Sequence, residues 1–148
     1  MINARGSATK ALTSMGKEPI NPPTVFRSLD FGFSQAIVTT GRRTVYLSGQ
    51  VAWDADRKIV GGANHESQAI QAFRNLQAVV EAAGGSLADV VSVRIYIVDY
   101  GPAKAAAVGG AFRSCFSGMA PPAATWVGVA ALAEADFLIE VEAVAVLD

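Results

Sequence analysis

Residues 137–146, which run Phe-Leu-Ile-Glu-Val-Glu-Ala-Val-Ala-Val, limit this chain more than any other stretch. Their β-branched and apolar content predicts a strand. Side chains alternate between the faces of a strand. Phe137, Ile139, Val141, Ala143 and Ala145 therefore share one face, and Leu138, Glu140, Glu142, Val144 and Val146 the other. Both faces are largely apolar, so both need cover.

The rest of the chain offers cover for one face. Short strands are predicted over 25–29, 36–40 and 44–51, with Gly41-Arg42-Arg43 as the hairpin turn between the last two. A polar turn over 54–58 and a loop at Gly61-Gly62 follow. Asn64 is placed to cap a helix that Gly84 stops. Within it Ala69, Phe73, Leu76, Val80 and Ala83 recur at helical spacing. Residues 90–98 read as a buried strand. Asp99-Tyr100-Gly101-Pro102 opens a second helix, with Val108, Phe112 and Cys115 on its apolar stripe, and Ser117 to Pro122 ends it. Residues 123–129 give the next strand, and 137–146 the last.

The order βββ-α-β-α-ββ predicts an α/β domain with a single mixed sheet of about six strands. Right-handed crossovers put both helices on one face of that sheet. The second face, which carries Glu140 and Glu142, is then bare, and a copy of the same subunit is the simplest cover. Residues 1–23, with three prolines and no hydrophobic period, read as a flexible N-terminal extension, and 24–148 as the α/β domain.

Composition agrees with an assembled protein. Of 148 residues 51% are hydrophobic, a surplus that an oligomer interface would absorb. The net charge of −1 and the absence of a basic run argue against a nucleic-acid partner. Cys115 is the single cysteine, which excludes an internal disulfide and a Cys-rich metal site, and His65 is the single histidine, which argues against a His-based zinc site. His65, near the start of the first helix, reads as a solvated surface residue, and Cys115 as a small buried hydrophobe. No run of about 18 apolar residues suits a membrane span, and the N-terminus lacks the apolar core of a signal peptide. A cytoplasmic setting is the expectation.

Several segments, in order, resemble the Rid (YjgF) superfamily, also labelled the endoribonuclease L-PSP family. Gly32-Phe33-Ser34-Gln35-Ala36 and Val45-Tyr46-Leu47-Ser48-Gly49-Gln50 resemble its paired opening motifs. Asn75-Leu76-Gln77-Ala78-Val79-Val80-Glu81-Ala82-Ala83-Gly84 resembles the end of its first helix. Pro122-Ala123 and the run from Ile139 to Val146 resemble its closing strands. The resemblance implies a chorismate-mutase-like homotrimer with small-molecule clefts between subunits and no cofactor. For the best-known subgroup it implies hydrolysis of 2-imino and 2-enamino acids to 2-keto acids and ammonia.

The resemblance also marks residues. In the subgroup an arginine after Pro-Ala holds the substrate carboxylate, because its planar fork pairs with two oxygens. Here Ala124 stands at that position and Trp126 two residues on, on the same strand face. Gly109 stands where a helix asparagine is common, and Phe33 where a pocket tyrosine is common. Ser48 and Gly49 are candidates to present backbone groups to a ligand, or else form a closely packed strand end. Glu140 matches the acidic residue beside the attacking water, a general base, with an interface carboxylate paired to an arginine as the equal alternative. Arg94, among Val93, Ile95 and Ile97, either pairs with Glu140 or Glu142 or binds an anion. Loss of a charge-assisted contact costs roughly 1.5–3 kcal/mol, about 10- to 150-fold in binding, so standard 2-imino acid activity is expected to be weak. Three functions stay open: a hydrolytic deaminase of small imines or enamines, a non-catalytic ligand-binding or regulatory trimer, and, last, a ribonuclease or translation inhibitor.

Overall fold

The computed structural model describes residues 17–23, 27–32, 34, 36–39 and 43–148. Strands β1 (Lys17–Ile20) and β2 (Ala36–Thr39) pair with each other, antiparallel. The main sheet contains β3 (Arg43–Gln50), β4 (Val90–Val98), β5 (Ala123–Val129) and β6 (Ile139–Leu147) in the order β3-β6-β4-β5. β6 runs antiparallel to both its neighbours, and β4 runs parallel to β5. Helix α1 (His65–Ala82) joins β3 to β4, and α2 (Pro102–Cys115) makes the crossover that a parallel β4–β5 pair requires.

The mixed α/β class and the two helices agree with the sequence reading, and among the described residues the main sheet has four strands where about six were expected. Two expectations fail for identifiable reasons. Residues 17–20, expected within the flexible extension, pair with β2, and Lys17 anchors them by donating to the Val90 carbonyl (2.5 Å) and the Ala120 carbonyl (3.0 Å). Ser28–Phe31 forms a single 3-10 turn where the end of a strand was expected. Phe33 and the turn at Gly41 and Arg42 lie outside the described residues.

The helices form where their signals stand. Asn64 caps α1 by accepting from the Ser67 amide at 2.8 Å, and Gly84 leaves it at φ +91, a conformation natural to glycine. Pro102 occupies the first turn of α2. Ala69, Phe73, Leu76 and Val80 of α1 and Val108 and Phe112 of α2 pack on Val93, Ile95, Ile97, Ile139 and Val141 of the sheet. Phe112 is the hub, 5.9 Å from Phe73 and 5.0 Å from Phe116 between ring centres. Fully burying each such side chain contributes about 1.5–3 kcal/mol.

Both helices cover the same face. Along β6 the buried positions are Ile139, Val141, Ala143, Ala145 and Leu147, with half-buried ones between. The other face stays open in the single chain, with Tyr46 80% exposed on it. No helix among the described residues is long and apolar enough to cross a membrane.

Candidate functional site

The open face carries the acidic half of the candidate site. In β3, Leu47 pairs with Ala143 and Gln50 with Val141, so Ser48 and Gly49 together oppose Glu142 alone. This is a β-bulge, a device that kinks a strand and re-aims its side chains. Beside it lies Glu140. A Cβ on Gly49 would fall 2.7 Å from Glu140 Cδ and closer still to Oε1. Glycine leaves that volume to the carboxylate, which a larger residue would push aside. Among the described residues Glu140 has no hydrogen-bond or ion-pair partner.

Two side chains of α1 fix this pair. Gln68, fully buried, accepts from the Leu138 amide at 3.0 Å and donates to the carbonyls of Gly62 (2.7 Å) and Asp136 (2.9 Å). It clamps the chain two residues ahead of Glu140. Asn75 donates to the carbonyls of Val51 and Trp53, both at 2.8 Å, and so holds the chain just after Gly49. The sequence reading gave neither role, since a polar residue on an amphipathic helix ordinarily marks its wet face.

Arg94 and Glu142 face each other across β4 and β6. Arg94 Nη1 donates to Glu142 Oε1 at 2.8 Å, and the Tyr96 hydroxyl donates to the same oxygen at 2.9 Å. Hydrogen bonding with Tyr96 first, then with Glu142, holds the Arg94 guanidinium above its ordinary pKa. Of the two roles open to Arg94, the single chain displays the ion pair, and its partner is Glu142 rather than Glu140. A groove of about 270 Å³ runs beside this pair, between Tyr46, Ser92 and Val144.

The second half of the site lies on the opposite side of the sheet. Ala124 and Trp126 sit beside Val93 and Ile95 in the β4–β5 register, so they point toward the helices. Trp126 is half-buried, with its ring edge-on to Phe112 at 6.1 Å. A Cβ on Gly109 of α2 would lie 3.7 Å from Trp126 Cη2. Ala124 and Trp126 share a face, as the strand period predicted, and Gly109 lies against Trp126, while Ser48, Gly49, Arg94 and Glu140 stay across the sheet. One chain does not bring the two groups together.

His65 and Cys115 take structural places. His65 Nε2 lies 2.8 Å from the Val98 carbonyl, which ties the start of α1 to the end of β4 and corrects the expectation of a solvated ring. Cys115 packs against the core, and burial pushes its thiol up to about 11.

The family model for Endoribonuclease L-PSP matches residues 29–147, nearly the whole of this architecture. The chain belongs to the Rid superfamily. This Rid protein is 41% identical to a Rid-family protein of unknown function, YyfB from Yersinia pestis. The TM-score is 0.87, over 90% of this chain and 100% of that one. It is 34% identical over 140 residues to a 2-iminobutanoate/2-iminopropanoate deaminase of Dermatophagoides farinae, covering 92% of this chain and 94% of that protein. RidA from the Antarctic bacterium Psychrobacter sp. PAMC 21119 is 33% identical with a TM-score of 0.65, over 78% of this Rid protein and 89% of RidA.

Proposed function

We propose that this Rid protein is a cytoplasmic homotrimer whose small-molecule clefts lie between subunits, each cleft joining the Gly49–Glu140 pair of one copy to the Gly109–Ala124–Trp126 wall of the next. One observation carries this reading. Glu140 and Trp126 project from opposite faces of one sheet, so only a second copy can bring them to a common ligand. The half-apolar open face supports it, since Val144 and Val146 would otherwise meet water.

The reaction that suits this cleft is hydrolytic deamination of a small imine or enamine. Glu140 takes a proton from water as the oxygen adds to the imine carbon. Glu140 passes that proton to the imine nitrogen to give the carbinolamine, then takes the hydroxyl proton and delivers it to nitrogen as ammonia leaves and the carbonyl forms. No redox partner or metal is needed. The carboxylate has no competing partner among the described residues, as a base requires. The relation to a 2-iminobutanoate/2-iminopropanoate deaminase favours the same chemistry. Ala124, in place of the arginine that the family resemblance implies, favours a substrate other than the standard 2-imino acids. Non-catalytic ligand binding in the same cleft is the second reading, favoured by that same substitution. A ribonuclease role ranks last, since the net charge is −1 and no basic run is present.

Two measurements test the proposal. Sedimentation should give a trimer, and a stable monomer at micromolar concentration would end it. A panel of imines and enamines assayed for ammonia release should reveal turnover that Glu140→Gln abolishes. Hydrolysis of 2-iminopropanoate should be at least about 100-fold slower than in an arginine-bearing relative. Binding without any turnover would favour the second reading.

A further inference from the structure

Arg113 was not singled out by the sequence, and the structure gives it an unusual setting. It lies one helical turn beyond Gly109 on α2. A Cβ on Gly109 would come within 3.3 Å of Arg113 Nη1, at the same point that lies 3.7 Å from Trp126 Cη2. The guanidinium and the indole therefore border one small volume, which glycine leaves open. A second glycine makes room for the stem. Gly32, at φ +86, would place a Cβ 2.9 Å from Arg113 Cγ. Glycine is disfavoured inside a helix relative to alanine, and at Gly109 it keeps free the volume that the guanidinium and the indole border. The cation itself is uncommitted. Ion pairs among the described residues join Arg27 to Asp30, Arg94 to Glu142 and Lys104 to Asp99, and none includes Arg113. Arg113 is exposed, so a ligand can reach it.

We propose that Arg113 is the anion-recognition residue of this protein, supplying from helix α2 the fork that Ala124 cannot supply from strand β5, for a ligand that joins a carboxylate to a flat aromatic or unsaturated body. The guanidinium takes the carboxylate through paired N–H donors, and the Trp126 indole takes the flat body by edge or face contact. Moving the cation from the strand to the helix places the carboxylate toward α2. The small Ala124 side chain leaves space beside the indole. This rests on the reading of the α2–β5 wall as one side of the ligand cleft.

Benzoate and its neutral counterpart benzamide are suitable probes. Calorimetric titration of the full-length protein should show wild type preferring benzoate over benzamide by at least about 10-fold. Arg113→Gln should weaken benzoate by about 10- to 150-fold and abolish the preference. Arg113→Lys should keep part of it, as a point charge without the fork. Sedimentation and circular dichroism on each variant separate a lost contact from a lost fold. Equal benzoate affinity in wild type and a folded Arg113→Gln overturns the proposal. So does a wild type that binds benzoate no better than benzamide. A monomeric wild type that still binds benzoate through Arg113 would refute the intersubunit cleft and leave this assignment standing. A monomer that does not bind refutes both.

Discussion

The Glu140 carboxylate rests on Gly49, in the space where any other residue would carry its Cβ. A bulge in β3 and a register position in β6 set this contact, and it fixes where the acidic group can point. Gly49→Ala should therefore swing the Glu140 side chain aside rather than unfold the chain. Overpacking of this kind costs typically about 1–3 kcal/mol, and a flexible glutamate at the surface of the sheet should keep it near the lower end. The expected outcome is a modest fall in melting temperature with a large loss of ammonia release, measured on one preparation. A variant with undiminished turnover would dissociate the Gly49 contact from function.

Gln68 should matter to stability more than its polarity suggests. Gln68→Leu removes three hydrogen bonds and leaves the Leu138 amide and the Gly62 and Asp136 carbonyls without this partner. Each buried group left unpaired costs about 1–3 kcal/mol. Chemical denaturation should show a loss of at least about 2 kcal/mol, and hydrogen exchange should speed up first at Leu138.

The Arg94–Glu142 pair should behave as an assembly contact. In the single chain its side chains are 56% and 39% exposed, where such pairs contribute little to stability. Enclosed by a second subunit, the same pair becomes costly to break from one side, because a lone charge is left behind. Glu142→Ala should leave the secondary structure intact and raise the concentration at which the oligomer dissociates. Sedimentation across a dilution series would reveal this, and an unchanged dissociation profile would contradict it.

Two buried groups should give opposite alkaline responses. Burial pushes the Lys17 ammonium down to about 8, partly countered by Asp89. The folded chain then releases this proton before the unfolded chain does, so the Lys17 contribution rises from pH 8 toward 10.5. Burial raises the Cys115 thiol from 9.0 to about 11, so the unfolded chain ionises first and that contribution falls between those values. Denaturation midpoints of wild type, Lys17→Met and Cys115→Ala between pH 8 and 11 should separate the two slopes. Lys17→Met should lose the rising component, and Cys115→Ala the falling one.

Much of this fold could be read from the sequence because period and punctuation agree. The α1 stripe, its Asn64 and Gly84 boundaries, the Pro102 start and the strands β4 and β5 all follow from local signals. The alternation predicted along 139–146 matches the observed burial pattern. The six-strand sheet was not legible, because pairing is a long-range property. Nothing local shows that residues 17–20 pair with β2 outside the main sheet. Of the site, the opposition of Glu140 and Trp126 follows from strand register, which propensity does not give. The roles of Gln68, Asn75 and Arg113 depend on what lies beyond the helix. Only Gly109 gave a clue, as a glycine in a helix interior one turn before an arginine.

Gly109 is followed by Gly110, so α2 carries two adjacent glycines in its middle turn. Together they lower its intrinsic helicity by roughly 2 kcal/mol relative to alanines. That turn stays helical because Val108, Ala111 and Phe112 are held in the core, and not because its own backbone favours it. The strand wall at Ala124 and Trp126 is held in the β4–β5 ladder, whereas the helix wall facing it has low intrinsic helicity. Accommodation of ligands of different thickness would therefore come from α2, with the sheet as the fixed reference.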